Sequence, residues 1–438
     1  MFRSRMAITL GALWLAALCI AGCKDKSRPA EGSGTQTAVL RLWHYEPPNS
    51  AMGVAWKRAI AAFEKAHPGV TVKFEEKGFE QIQQNAGMIL NSDEAPDIME
   101  YNKGNATAGL LSKQGLLTDL TAEATRRGWD KVLSPSLQTT ARYDARGVMG
   151  GDKWYGVPDY GEFVMVYYNK GLFEKHGVKV PTSLAELEDA MATFVKAGVP
   201  PLSVAGAEYP AQQIFYLLAL SKADRKWVTS YQLYQGKVDF HGPELSFAAT
   251  RFTEWVAKGF ISKDSAGIRA EDMGVAFAQG KFPMMISGSW WYGRFADQIK
   301  SFEWSTVLFP GNKLHPGSSG NLWVVPSHSK NKALAYDFID LTLNADVQQA
   351  LGNAGGVPVA ANPTSITGPK NRELISAFNA VSAQDGLAFY PDWPVPGYYD
   401  ALVAAVQELI NGSKPPADVL DELAKPYQDH VASLTAGK

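Results

Sequence analysis

Between Val39 and Tyr101 the apolar residues change their period repeatedly, and that alternation limits the chain to a small set of architectures. Val39, Leu40, Leu42 and Trp43 lead a run to Tyr45 that reads as a strand. Pro47-Pro48-Asn49-Ser50 breaks it and offers a helix start, after which Met52, Trp56, Ile60 and Phe63 recur along one helical face. His67-Pro68-Gly69 ends that helix, and Val70, Val72 and Phe74 alternate with polar residues at strand period. A second helix is predicted over about residues 80–91, and Pro96-Asp97 leads into a short strand from Ile98 to Tyr101. Helical crossovers return successive strands in the same direction, so this order predicts a parallel sheet covered by helices.

The pattern restarts after Tyr155-Gly156-Val157-Pro158. Phe163 to Tyr168 is a strongly apolar strand, and Ser183 with Glu186 forms a capping box ahead of Leu187, Met191 and Phe194. Phe282 to Ile286 and Thr306 to Phe309 are the clearest later strands. A second α/β unit follows, and 438 residues exceed what one core normally holds.

The N-terminus carries a different signal. Arg3 and Arg5 precede an uncharged, mostly apolar run from Met6 to Leu18, which leads into Ile20-Ala21-Gly22-Cys23. This resembles a bacterial lipoprotein signal, with a cysteine at the first mature position. Residues 1–22 are expected to be removed and the Cys23 thiol to carry a diacylglycerol, with palmitate-type acyl chains giving stable anchoring. Residues 23–37, polar and rich in Gly, Ser and Thr, read as a tether. The alternatives are plain secretion and a retained span, for which the apolar run is short.

Removing residues 1–22 takes away two arginines and no acid, which moves the formal charge from −2 to −4. That balance argues against nucleic acid as a partner. Cys19 leaves with the signal, so the mature chain has Cys23 alone and no intrachain disulfide. The seven histidines are scattered without a zinc-binding spacing, and no phosphate-binding P-loop is present. Neither a metal nor a cofactor is expected.

Six ordered blocks resemble the extracellular solute-binding proteins of ABC importers, in the branch that includes the maltose-binding proteins. They are Phe63-Glu64 through His67-Pro68-Gly69-Val70; Ala95-Pro96-Asp97-Ile98 with Gly115-Leu116-Leu117-Thr118-Asp119-Leu120; and Tyr155-Gly156-Val157-Pro158 before Tyr167-Tyr168-Asn169-Lys170-Gly171-Leu172-Phe173. Phe277-Ala278-Gln279-Gly280-Lys281 through Gly288-Ser289-Trp290, Trp323-Val324-Val325-Pro326, and Gly355-Gly356-Val357-Pro358 complete the series. The resemblance implies an α/β, two-lobed periplasmic-binding-protein-like fold. Each lobe would be a mostly parallel sheet flanked by helices, with two hinge crossovers and the ligand cleft between lobes. Lobe 1 would hold residues 38–158 plus 325–370, and lobe 2 residues 159–324 plus 371–438. The crossovers are expected near Pro158 to Tyr160 and near Asn321 to Pro326. The implied protein is a monomer outside the cytoplasm. It would be lipid-anchored through Cys23 to the bacterial cell membrane, on the periplasmic side where the host has two membranes. Its partners would be a carbohydrate ligand and an ABC permease whose ATPase is a separate chain.

Sugars present C–H faces and hydroxyl edges, so their sites combine aromatic walls with a few carboxylates and amides. Trp43, His44 and Tyr45 lie where the first strand ends, with Glu46 next to them, at the usual ligand edge of an open α/β sheet. Tyr101 and Asn102 follow the strand after Pro96-Asp97, in a loop where maltose-binding relatives place a stacking ring. Asp159 and Glu162 flank the first crossover, and Glu162 matches a sugar-contacting Glu of those relatives. Trp290 matches a stacking Trp, with Trp291 beside it. Asn321 and Trp323 sit at the second crossover, and Trp393 and Tyr398 precede an apolar helix. Each has a plain structural alternative: core packing for the rings, hinge ion pairs or helix caps for the polar groups. These residues point to a neutral di- to tetrasaccharide. A glycerol phosphodiester or polyamine in the same fold is the rival reading, and a secreted glycosidase, which needs two carboxylates about 5–9.5 Å apart, is the remote one.

Overall fold

Five elements alternate at the start of the chain: β1 (Ala38–His44), α1 (Ala51–Ala66), β2 (Val70–Glu76), α2 (Phe79–Leu90) and β3 (Ile98–Tyr101). The computed structural model describes residues 38–360 and 362–435. The expected signal segment, Cys23 and the tether lie outside the described residues. Ser50 starts α1, its Oγ accepting from the Gly53 amide at 2.9 Å. The apolar stripe predicted for α1 is buried at Met52, Trp56 and Phe63. Trp56 packs edge-on to Trp323, and Phe63 edge-on to Phe338.

β1 pairs in parallel with β2 from Ala38↔Val70 to His44↔Glu76, and with β3 at Leu42↔Ile98. Two short strands, Leu322–Val324 and Val157–Pro158, extend this first sheet antiparallel beyond β3. The second sheet is built around Gly161–Asn169. That strand is antiparallel to Met284–Gly288 on one side and to Trp304–Val307 on the other, and Gly317–Ser319 lies antiparallel beside its start. Only Leu202–Ser203 adds a parallel pair, with Met284–Gly288.

The α/β class therefore stands, while the mostly parallel reading describes β2-β1-β3 and not the second sheet. The reason is topological. A strand is returned parallel by a covering helix, but Gly161–Asn169 comes straight out of the first sheet through Asp159-Tyr160 with no helix between.

The chain crosses between sheets again at Gly320-Asn321, and the two crossings are bonded side by side. The Gly320 amide donates to the Tyr160 carbonyl, and the Asp159 amide to the Asn321 carbonyl at 3.3 Å. A side chain on Gly320 would overlap the Tyr160 ring, so this close approach needs glycine there. Leu322 is already paired in the first sheet, ahead of the expected boundary at 325. Pro369–Ala383 packs on the second sheet through Phe378 against Phe163.

Candidate functional site

Strand pairing in β1 ends at His44, so Tyr45 and Glu46 are the first residues free to turn toward the crossings. They line a cavity of about 240 Å³ together with residues that follow β3, begin Gly161–Asn169, and lie near positions 209–213, 290–294 and 390–399. The cavity thus draws side chains from both sheets.

Its walls form a continuous run of ring contacts. Tyr45 meets Phe79 with centroids 5.1 Å apart, Phe79 meets Tyr209 at 6.0 Å, and Tyr209 meets Trp290 at 5.6 Å. Trp290 approaches Tyr390 at 6.4 Å, and Tyr390 approaches Trp393 at 5.2 Å. The Trp393 ring presses on Gly104, which has a φ of 114° and no room for a Cβ. The Trp393 carbonyl accepts from the Ala106 amide at 2.9 Å, fixing the late loop to the segment after β3.

The polar floor is a connected network. Lys103 and Glu162 form an ion pair, both side chains almost wholly buried. The Lys103 ammonium also lies 5.5 Å from the Tyr390 ring centroid and 5.3 Å from that of Trp393. Asn102 Oδ1 accepts from the Lys103 amide at 3.0 Å. The Tyr160 hydroxyl accepts from Asn321 Nδ2 at 2.8 Å and lies 3.4 Å from Glu162 Oε2 and 3.5 Å from Glu46 Oε1. At the rim Arg294 pairs with Glu271 at 2.9 Å and lies over Trp291.

Several buried polar atoms of the lining have no protein partner: the Tyr45 hydroxyl, Trp290 Nε1, Trp291 Nε1, Gln212 Oε1 and Gln213 Oε1. Such groups are costly unless something hydrogen-bonds to them. Together with the ring faces, they describe a cavity shaped for a ligand with apolar faces and hydrogen-bonding edges.

Of the residues expected from sequence, the structure brings together Tyr45, Asn102, Glu162, Trp290, Trp291, Asn321 and Trp393. It places Trp43, His44, Tyr101, Asp159, Trp323 and Tyr398 elsewhere. Trp43 is buried under the Lys77 ammonium. His44 stacks on Phe74 at 4.0 Å, and its Nδ1 accepts from the Glu46 amide. Burial lowers its pKa to about 3, so it is neutral. Trp323 is core between Trp56 and Phe338. Tyr101 and Tyr398 line a neighbouring cavity of about 510 Å³. The Tyr398 hydroxyl donates to the Leu423 carbonyl, while its neighbour Tyr399 faces the first cavity.

Asp159 sits behind the floor with Glu100. Glu100 Oε1 accepts from Trp56 Nε1, and Asp159 Oδ1 from the Tyr160 amide. Their other carboxyl oxygens, Glu100 Oε2 and Asp159 Oδ2, accept from no N–H or hydroxyl group, and the two carboxyls hydrogen-bond to each other across a held proton. Burial first, then the charge of Asp159, pushes Glu100 well above its ordinary range; burial likewise raises Asp159.

Sequence reasoning missed Tyr390, Asp392, Glu271 and Arg294, and left Glu46, Lys103, Tyr160, Tyr209 and Tyr399 aside. Glu46 and Lys103 directly follow expected residues. Gln212 and Gln213 carry a visible signal, two amides opening the otherwise apolar helix Ala211–Leu220. Among the described residues no His, Cys, Asp and Glu cluster suits a metal, and no helix is long and apolar enough to cross a membrane.

The bacterial extracellular solute-binding protein family matches residues 47–349. The Multiple sugar-binding protein of Streptococcus mutans is 24% identical over 365 residues, covering 80% of this chain and 81% of its own. A chitin oligosaccharide binding protein of known structure superposes with a TM-score of 0.77 at 20% identity, over 91% of this chain and 100% of its own. The GacH receptor of Streptomyces glaucescens gives 0.69 at 22% identity, over 90% of this chain and 99% of its own. The structural likenesses show the same two-lobed fold.

Glu100 and Asp159 generate a stability prediction. Their folded pKa values are raised, so the folded state holds protons that the unfolded chain has released above the ordinary values of 4.5 and 3.8. Stability contributed by these groups is full below those values and declines as pH rises toward the raised ones, by up to about 1.4 kcal/mol per pH unit per group. Urea unfolding followed across pH should show this decline, to which buried Glu46 adds, and Glu100→Gln should make it shallower by about one group's share. An unchanged slope in Glu100→Gln would contradict the assignment.

Proposed function

Because the chain belongs to the bacterial extracellular solute-binding protein family, we propose that its cavity captures a di- to tetrasaccharide and delivers it to an ABC permease. The observation that carries this reading is the unbroken arc of rings from Tyr45 to Trp393, combined with the unpartnered buried polar atoms beside it. Sugar rings stack on aromatic faces, and their hydroxyls supply the missing hydrogen bonds. The S. mutans relative is named for several sugars, one structural neighbour for chitin oligosaccharides, and GacH was solved with acarbose.

The lobes divide at the two crossings, with β1, β2 and β3 in one and Gly161–Asn169 in the other. A sugar touching Glu46 and Asn102 from the first sheet and Glu162 and Trp290 from the second stabilises the closed arrangement relative to an open one. That arrangement is the form presented to the permease. No bond is made or broken. A phosphodiester is disfavoured because both cations of the lining, Lys103 and Arg294, are already paired with Glu162 and Glu271.

The mature chain is proposed to begin at a lipid-bearing Cys23, to act as a monomer, and to stand at the outer face of the bacterial cell membrane. Mass spectrometry of the membrane-bound protein should find residues 1–22 removed and a diacylglycerol on Cys23. An unmodified Cys23 thiol would overturn the lipid anchor.

Thermal melts of the detergent-solubilised full chain against xylo-, cello-, malto-, chito- and galacto-oligosaccharides test the ligand class. Ligand at about 100 times its dissociation constant should add about 2.7 kcal/mol of stability. Trp290→Ala should cost about 2 kcal/mol or more of binding, as buried aromatic anchors do. No shift across the panel would reject a carbohydrate ligand, and cleaved sugar in the mixtures would make the protein a glycosidase.

A further inference from the structure

We propose that the captured carbohydrate carries a protonated amino group, and that this ammonium docks on the carboxyl of Glu46. The inference rests on the carbohydrate reading and departs from the neutral sugar expected from residue types alone.

The cavity repeats one local arrangement, a carboxylate beside aromatic rings. Glu162 stands beside Tyr390 and Trp393, and Lys103 supplies the cation, paired with the carboxylate and lying over both rings. Glu271 stands near Trp291, and Arg294 supplies the cation, bonded to the carboxylate at 2.9 Å with its guanidinium 4.3 Å from the ring centroid. Ring faces and carboxylates both attract cations, and here the chain provides them.

Glu46 stands beside Tyr45 and Tyr160 and has no such cation. No ion pair among the described residues includes it. Its oxygens meet only hydroxyls, Ser50 Oγ at 3.3 Å and Tyr160 at 3.5 Å. Those contacts are longer than the roughly 2.5–2.7 Å of a hydroxyl bonded to a carboxylate. The side chain is nonetheless buried, at 6% exposure, and it lines the cavity.

Nothing behind Glu46 offers compensation. Glu100 and Asp159 form no ion pair with a cation, His44 is neutral, and Lys103, whose charge Asp159 feels, is committed to Glu162. A buried carboxyl in that setting keeps its proton until a cation arrives, and burial does push Glu46 well above its ordinary range. A compact ammonium on a sugar ring meets both needs of this corner, with charge for Glu46 and an apolar ring face for the aromatic arc. The Tyr45 hydroxyl, buried without a partner, is a further hydrogen-bonding group next to it.

The test is calorimetric titration of the full chain in detergent at neutral pH with three matched sugars. They are a glucosamine disaccharide or trisaccharide, its N-acetylated counterpart, and the corresponding cello-oligosaccharide. The amino sugar should bind about tenfold tighter or more than either counterpart. Glu46→Gln, which keeps the shape and cannot ionise, should bring the three within about twofold of one another. Equal or tighter binding of either neutral sugar by the unaltered protein would overturn the amine assignment while leaving the carbohydrate reading intact. A preference that survives Glu46→Gln would also overturn it. Binding of spermidine with no binding of any sugar would overturn the carbohydrate reading itself. The comparison among sugars needs no variant, so it decides the matter even if Glu46→Gln does not fold.

Discussion

The ion pair between Lys103 and Glu162 ties the two sheets together at the floor of the cleft. Lys103 follows β3 in the first sheet, Glu162 lies on Gly161–Asn169 in the second, and both side chains are nearly closed to solvent. Two buried charges are tolerable only as a pair with good supporting contacts. Removing one partner of such a pair typically costs about 3–5 kcal/mol because the other is left uncompensated. The supporting contacts are the site itself. Tyr160 and Asn321 come from the two crossings, and Tyr390 and Trp393 come from the late loop that lies over the ammonium. The same interaction therefore connects both crossings to one wall of the cavity.

The aromatic arc follows from that frame. Trp393 reaches the cavity because Gly104 leaves room for its ring, and the Ala106 amide holds its carbonyl. Tyr399 is held from two sides, accepting from the Tyr209 amide at 3.1 Å and donating to Glu80 at 2.7 Å. Rings fixed in this way lose little freedom when a ligand arrives, which favours affinity by preorganisation.

The first sheet was readable because its periods are clean. Helical spacing in α1 and alternation in β2 are properties of the local sequence. The direction of Gly161–Asn169 is not, since it depends on a crossing that carries no helix. The capping box expected at Ser183 forms with its second bond shifted by one residue. Ser183 Oγ accepts from the Glu186 amide at 3.2 Å, while the Glu186 carboxylate reaches back to the Thr182 amide at 2.7 Å, one residue further than expected. In the site, Trp290 and Trp323 look alike as sequence, each close to a strand end. Only packing separates them, since Trp323 is enclosed by Trp56 and Phe338 and Trp290 faces Tyr209 and Tyr390. Tyr398 and Tyr399 differ by one step around a helix start, enough to send one hydroxyl into the C-terminal helices and the other toward the cleft. Tyr390 and Asp392 had no local signal, because their place depends on where the late loop meets the segment after β3.

One ligand is expected to touch both sheets at once, between the ring arc and the Lys103–Glu162 floor. A crystal structure of the protein with the oligosaccharide that stabilises it most tests this directly. Sugar rings should stack on the Trp290 and Trp393 side of the cavity, with polar contacts to Glu46 or Asn102 from the first sheet and to Glu162 from the second. A sugar bound on the outer surface, or held by residues of one sheet alone, would contradict it.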